Sequence, residues 1–208
     1  MKPEPGRKRA YHSPVRAAAA LETREKVLEA ASALLGQVND ATAFTLEAVA
    51  KAAGVTRLTV YNQFGSRRAL LEQLFDRFAH RARLPELIVP AVKGDPFDAL
   101  EIVVGIFCRF WSDPAVMRIQ DAIGADPEFE ELLRARHERR RGLISAIVKR
   151  AVDGANEKQR ADATDLIFAL TSPQTFRVLA HDRSMTGVQQ IIMEAAMDAL
   201  QRIGRAGK

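Results

Sequence analysis

The sequence predicts an all-α fold. Three observations carry this expectation. Apolar residues recur at helical spacing in every strong segment, no period-two alternation of useful length occurs, and Ser, Thr or Asp-Pro start signals precede the apolar stripes. Read along the chain, these signals give about nine helices and no sheet. No internal repeat is present.

The elements follow in order. Residues 1–16, MKPEPGRKRAYHSPVR, combine prolines, a glycine and scattered charge, and are expected to form a flexible basic arm. From Ala17 the pattern is helical, with Val27, Leu28, Ala31, Leu34 and Leu35 on one stripe. Gly36 and the polar stretch from Gln37 to Asp40 stop this helix. Thr45 can cap a second helix, with Glu47 in its first turn, where negative charge suits the helix dipole. Gly54 stands where a left-handed terminator is needed, and Thr56 can cap a short third helix through Gln63. Gly65 breaks that helix. Ser66 caps a fourth, which carries Leu70, Leu71, Leu74, Phe75 and Phe78 at helical spacing.

Pro85 and Pro90 mark a boundary near residues 84–95. Beyond it, Asp95-Pro96 opens a helix running towards Trp111, with proline at the tolerated first position. Asp113-Pro114 and Asp126-Pro127 are two further starts of this kind, the latter opening a long segment that is very basic around Arg134–Arg141. Glu157–Asp182 and Thr186–Ile203 are the last two expected helices. The implied organisation is an arm (1–16), a domain over 17–83 and a second helical domain over 84–208.

Bulk composition bounds what such a chain does. It has 208 residues, 47% hydrophobic and 27% charged, enough to bury a core without staples. Cys108 is the single cysteine, which excludes an intrachain disulfide and a multi-thiolate zinc site. No uncharged apolar run approaches the ~20 residues of a membrane span. The basic first residues lack a following apolar signal core. A cytoplasmic protein without cofactor or metal is the expectation. Residues 1–83 hold 14 Lys/Arg against 8 Asp/Glu, whereas residues 84–208 hold 17 against 18. The whole positive surplus therefore sits in the first part. It suits a polyanion such as nucleic acid, whose counterions are released on neutralisation, or simply a solubilising tail.

The informative stretch is TLEAVAKAAGVTRLTVYNQF, residues 45–64. Two short helices flank a Gly-centred turn, and small Ala50 and Gly54 let them cross closely. That is helix-turn-helix grammar, whose second helix fits a ~12 Å major groove. An ordinary helical hairpin has the same spacing, so the polar residues matter. Helices usually begin with acids, yet Arg57 opens the third helix, and Arg67 and Arg68 open the fourth. Each is unfavourable by ~0.3–1 kcal/mol at most, and a bound phosphate would reverse the sign.

These residues resemble the TetR-type transcriptional regulators. The resemblance rests on Arg24, Ala30-Ala31, Leu34-Leu35, Phe44-Thr45, Ala50, Ala53-Gly54-Val55-Thr56, Thr59-Val60-Tyr61, Phe64, Ser66-Arg67 and Leu70-Leu71, and covers about residues 21–75. It implies an N-terminal three-helix helix-turn-helix DNA-binding domain and a C-terminal helical domain for effector binding and dimerisation. It further implies that Thr45 and Thr56 cap helices and touch phosphate, that Tyr61 and Arg67 contact phosphate, and that Arg57, Leu58, Thr59 and Asn62 face base edges or adjacent backbone. Gln63 replaces a common histidine and can still donate to phosphate. Val55, Val60 and Phe64 would be buried. Leu58, where a small residue is common, Arg68, in place of a frequent acid, and the long Gly36–Phe44 loop leave the operator undetermined. Arg7, Lys8 and Arg9 either enter a minor groove or belong to a disordered tail.

From Leu84 onward the residues show no functional motif of their own. The resemblance implies a small-molecule effector and a homodimer there. Phe107, Phe110 and Trp111 fall together on a helix, and Met117, Ile123, Phe129, Phe168 and Phe176 can join them around a cavity for an apolar or aromatic ligand, or as plain core. The last two helices, with Leu166, Leu170, Leu179, Met193, Ala196 and Leu200, are the expected dimer face. The overall expectation is a repressor that binds a pseudo-palindromic operator and is released by an effector. An enzyme is the first competing class. None of the four histidines has metal-ligand spacing, and no nucleophile elbow or phosphate loop occurs. The one close His–acid pair, His181-Asp182, is adjacent in sequence and is not expected to orient itself. A DNA-binding nucleoid factor without effector is the second alternative.

Overall fold

The chain, a computed structural model, is described for residues 14–37, 43–124 and 130–206. Among these residues there is no strand. Eleven α-helical segments occur in place of about nine: α1 (Pro14–Gln37), α2 (Leu46–Ala53), α3 (Arg57–Phe64), α4 (Arg67–Arg81), α5 (Ile88–Val92), α6 (Pro96–Trp111), α7 (Pro114–Gly124), α8 (Glu130–Ala151), α9 (Glu157–Leu170), α10 (Pro173–Leu179) and α11 (Met185–Ala206). A 3-10 turn, Leu84–Leu87, joins α4 to α5.

Two differences account for the count. The proline-marked boundary holds the short helix α5 rather than an open linker. Five residues cannot nucleate a helix alone. Here tertiary contact supplies the support, with Leu87 and Ala91 buried and Arg150 of α8 donating to the Ala91 carbonyl at 2.9 Å. The expected single helix over 157–182 is broken at Thr171-Ser172-Pro173. Ser172 caps α10, accepting from the Thr175 N–H, and Pro173 takes the first turn. Proline there removes a helical donor and restricts the residue before it, so the break is local chemistry. At the N-terminus, α1 begins at Pro14, three residues before the expected Ala17, again with proline at a tolerated start. The expected start at Asp126-Pro127, Phe129, and the arm residues Arg7, Lys8 and Arg9 lie outside the described residues.

Caps fix most of the remaining starts. Thr45, Thr56, Ser66, Asp95, Asn156 and Ser172 each accept a first-turn N–H. Asn156 and Gln159 form a reciprocal capping box. Arg83 adopts φ 64, which turns the chain out of α4.

One continuous core joins both parts of the molecule. Helix α1 contributes Val27, Leu28, Ala31 and Leu35, and α4 contributes Leu70, Leu71, Leu74, Phe75 and Phe78. Helix α6 is buried on most sides, from Ala99 to Trp111, and is packed by α5, α8 and α11. Each fully buried Leu or Phe contributes roughly 1.5–3 kcal/mol over exposure, so α6 is the spine of the second half. Helix α1 rests on α2, α4 and α7. Arg118 of α7 donates to the carbonyls of Leu35 (3.0 Å) and Gly36 at the end of α1. Thus the two halves meet through α1–α7 and α4–α7, with α4 continuing into the 3-10 turn.

Candidate nucleic-acid interface

The turn between α2 and α3 needs a residue that accepts left-handed backbone. Gly54 takes φ 62, ψ 36, and its N–H points at the carbonyls of Ala50 and Lys51. The N–H of Val55 then donates to Ala50 at 3.0 Å, closing the turn. Ala50 and Ala53 are buried at the crossing, while Val55 is half-buried rather than fully inside.

Helix α3 is anchored on one side only. Val60 and Phe64 are buried, and the guanidinium of Arg24 lies over the Phe64 ring at 4.6 Å. The Arg24 Nη1 also donates to the Gln63 carbonyl at 2.6 Å. This arginine therefore clamps the end of α3 onto α1. Its part was not legible from its position alone, because it lies 39 residues away in sequence from its acceptor.

The opposite side of α3 holds Arg57, Leu58, Tyr61 and Asn62, all exposed. Their spacing places them on one face. Leu58 is 65% and Tyr61 56% exposed, large apolar surfaces left uncovered on a helix only eight residues long. Thr59 is half-buried, its Oγ1 2.9 Å from that of Thr56, whose oxygen also accepts from the Thr59 N–H at 3.0 Å. Gln63 departs from this outward set. Its Nε2 donates to the Ala20 carbonyl at 3.3 Å, so it ties α3 to α1. Thr45 is exposed beside α3's neighbour α2 and accepts from Ala48 at 3.1 Å. Arg67 donates through Nε to the Phe44 carbonyl at 2.9 Å, holding the start of α4 against the segment before α2. Neither α3 nor α4 has an acid in its first turn. Their N-termini thus combine backbone N–H groups with Arg57 and Arg67, a combination that attracts anions, while Arg68 pairs with Glu72 at 2.9 Å.

A second feature lies under α4. A partly open cavity of about 270 Å³ is bounded by α4, the 3-10 turn, α5, α6, α7 and α8. Phe107, Phe110 and Trp111 line it, together with Phe75 and Asp76 from α4, Leu133, and the α8 residues Arg136, Arg139 and Arg140. Phe75 and Phe110 meet edge-to-face with centroids 5.2 Å apart. The Trp111 indole donates to the Thr171 carbonyl at 2.9 Å, and Arg140 donates to the same oxygen at 2.8 Å. Met117, Phe168 and Phe176 do not line this cavity. Phe168 instead lies under Arg140, whose guanidinium carbon is 3.9 Å from its ring centre.

Burial pushes the Arg136 and Arg140 guanidiniums down to about 10, and the Asp76 carboxylate partly offsets this for Arg136. Burial, then the neighbouring Arg140 charge, lowers His137. In the sequence these α8 residues stand out only as part of the very basic run Arg134–Arg141. A signal was present, since Leu133, Arg136, Arg140, Leu143 and Ile147 recur at helical spacing.

Of the residues expected at a dimer face, Leu166 is 45% exposed, and Leu170, Leu179 and Met193 are half-buried. Ala196 and Leu200 are already buried within the protomer, so a partner could not reach them. Val178 and Met185 add exposed apolar surface nearby in the chain. The pair His181–Asp182 does meet, Nδ1 to Oδ1 at 2.8 Å, contrary to expectation, because it sits in the turn after α10 rather than on a helix. Both residues are exposed and neither lines the cavity. Among the described residues no group of His, Cys, Asp and Glu could hold a metal, and no helix is long and apolar enough to cross a membrane.

Comparison with known proteins agrees with this geometry. Residues 27–74 match the family model described as bacterial regulatory proteins, tetR family. The chain is 43% identical over 115 residues to the HTH-type transcriptional regulator AlkX of Mycobacterium tuberculosis, covering 53% of this chain and 52% of that protein. The chain thus matches about half the length of that relative. It is 29% identical over 173 residues to the HTH-type transcriptional regulator EthR of Mycolicibacterium smegmatis, covering 82% and 73% of the two chains. A solved TetR-like transcriptional regulator from Rhodococcus sp. RHA1 shares the fold, with TM-score 0.67 at 14% identity over 86% of this chain and 96% of that one.

Proposed function

Because the chain belongs to the TetR family of transcriptional regulators, we propose that it binds a pseudo-palindromic DNA operator as a homodimer, represses from it and is released by a small effector. The observation that carries this reading is the outward face of α3. Arg57, Leu58, Tyr61 and Asn62 share one uncovered side of a helix whose other side is fixed by Val60 and Phe64. Rigid anchoring with an exposed amphipathic face is what major-groove insertion requires. In this reading Tyr61 and Arg67 contact phosphate, as do the caps Thr45 and Thr56. Arg57 and Thr59 approach base edges or the adjacent backbone. Asn62 reads a base edge, and Leu58 meets a thymine methyl. Gln63 acts chiefly as a strut to α1 through its bond to the Ala20 carbonyl.

Helix α4 supports a coupling mechanism. Its first residue, Arg67, bonds the Phe44 carbonyl just before α2, while Phe75, Asp76 and Ala79 form a wall of the cavity. A ligand that moves this wall tilts the segment carrying α2 and α3. Effector and DNA then favour different dimer geometries, and the coupling is reciprocal. The exposed Leu166, with Leu170, Leu179 and Met193 behind it, is the proposed start of the dimer face on α9–α11. Localisation in the cytoplasm follows from the proposed DNA target.

Selection of bound fragments from random DNA tests the reading. The expected result is an inverted repeat whose half-sites lie one helical turn or more apart. Recovery of no enriched sequence, or of a single unrepeated half-site, would refute operator binding by a two-fold dimer.

A further inference from the structure

We infer that the cavity under α4 takes a small apolar monocarboxylic acid, its carboxylate held by Arg140 and Arg136 and its body among Phe75, Phe107, Phe110 and Trp111. This deepens the proposal that the cavity is an effector site, and rests on it for any consequence at DNA.

The walls alone would suit any apolar molecule. The charges do not. Arg140 is only 8% exposed and Arg136 10% in its side chain, so both guanidiniums are withdrawn from water. They are one helical turn apart on α8, where like charges repel. Burying a cation without a counter-charge is costly unless something compensates it. The compensation present is incomplete. Arg136 has Asp76 at 3.1 Å and the Phe75 ring face at 3.6 Å, yet its Nη1 is buried without an acceptor. Arg140 has the Thr171 carbonyl and the Phe168 ring, but no carboxylate among the described residues, and its Nε is likewise buried and unpaired. Arg139 lines the same space, against Asp76 as the one acidic lining residue. His137, also on the wall, is held towards its neutral form and adds no acceptor of negative charge.

The cavity is therefore an apolar chamber whose wall carries more positive than negative charge, with Arg136, Arg139 and Arg140 against Asp76. A carboxylate supplies the missing negative charge, and its two oxygens match a guanidinium fork. One negative charge suffices, and the remaining walls exclude a heavily hydrated polyanion. The volume, about 270 Å³, is near the lower edge of the ~300–1,000 Å³ typical of ligand pockets, which points to a small acid.

Trp111 is the only tryptophan and lines the cavity, so its fluorescence reports occupancy directly. The full chain, without DNA, is titrated with octanoate and 3-phenylpropionate, and in parallel with octanamide and 3-phenylpropanamide, all below any micellar concentration. The inference expects saturable binding of at least one acid, at least tenfold tighter than its amide. This comparison needs no variant. Arg140→Met should abolish the preference for acid over amide, and Arg140→Lys should keep part of it, with circular dichroism confirming that both fold. Equal or tighter binding of the amides, no saturable response to either acid, or an unchanged preference in folded Arg140→Met would overturn the inference. The operator complex separates the two proposals. An acid that binds but leaves DNA affinity unchanged supports this inference and refutes the effector role. An amide that binds and releases DNA while the acids do neither refutes this inference and supports the effector role.

Discussion

Replacing Arg57 with glutamine should move DNA affinity and fold stability in opposite directions. Arg57 opens α3, is exposed, and has no ion pair among the described residues. In the free protein its charge faces the positive end of the helix dipole, an arrangement unfavourable by ~0.3–1 kcal/mol at low ionic strength. Arg57→Gln should therefore stabilise the protein by up to that amount. In the proposed complex, with Arg57 on the adjacent backbone, the same charge neutralises phosphate. Each lost phosphate contact lowers the salt slope of log K by ~0.9, and a dimer loses two, so the slope should become shallower by ~1.8. Between ~50 and ~200 mM salt, the variant's affinity should thus fall about tenfold less than that of the wild type. Fluorescence anisotropy on the selected operator across that salt range reads the slope, and chemical denaturation in the same buffers reads stability. An unchanged slope would show that Arg57 faces no phosphate. A loss of stability would show that the charge is satisfied within the chain, and the argument for an anion at this helix end would fail.

Three further outcomes are expected. Gly54→Ala should destabilise the fold by about 1 kcal/mol in urea denaturation, because φ 62 strains any L side chain while the added carbon meets only Lys26 Nζ at 3.8 Å; a neutral result would mean that the turn relaxes freely. Tyr61→Phe should weaken binding evenly across operator variants and Asn62→Ala should change base preference, as read by competition binding; equal losses for Asn62→Ala on every variant would contradict a base contact. His137 has its proton affinity lowered by burial and by Arg140, so the unfolded chain takes up its proton first. Stability should therefore decline as pH falls below the ordinary value of 6.5, and His137→Gln should flatten that decline in denaturation curves between about pH 5 and 7.

The parts of the fold that were legible in the sequence are those governed by local chemistry. Thr45, Thr56 and Ser66 stand as caps and Gly54 as a left-handed terminator because each acts within a few residues of itself. Helix α5 was not legible, since its support comes from Arg150, far along the chain. The break before α10 had a local signal in Ser172-Pro173 that the long apolar pattern from 157 to 182 masked. In the candidate site, the outward residues of α3 were legible from spacing, whereas the inward turn of Gln63 depended on where Ala20 lies. Aromatic periodicity shows which face is apolar. It cannot tell whether that face meets packed side chains, as Phe168 does beneath Arg140, or empty volume, as Phe107 and Phe110 do. The burial of Arg136 and Arg140 depends on how α8 is docked, which a run of basic letters does not reveal.

Helix α4 has 15 residues, a rod of ~22 Å at ~1.5 Å per residue, with Arg67 at one end holding the segment before α2, and Phe75 and Asp76 in the cavity wall. In the proposed function, sensor and reader therefore share a single beam instead of being joined by a hinge. Anyone retuning this protein towards a new compound would do well to carve the chamber from its α6 and α8 sides. Substitutions on α4 would change the perceived molecule and the posture of the reading head in one stroke, and the two effects could not be selected separately.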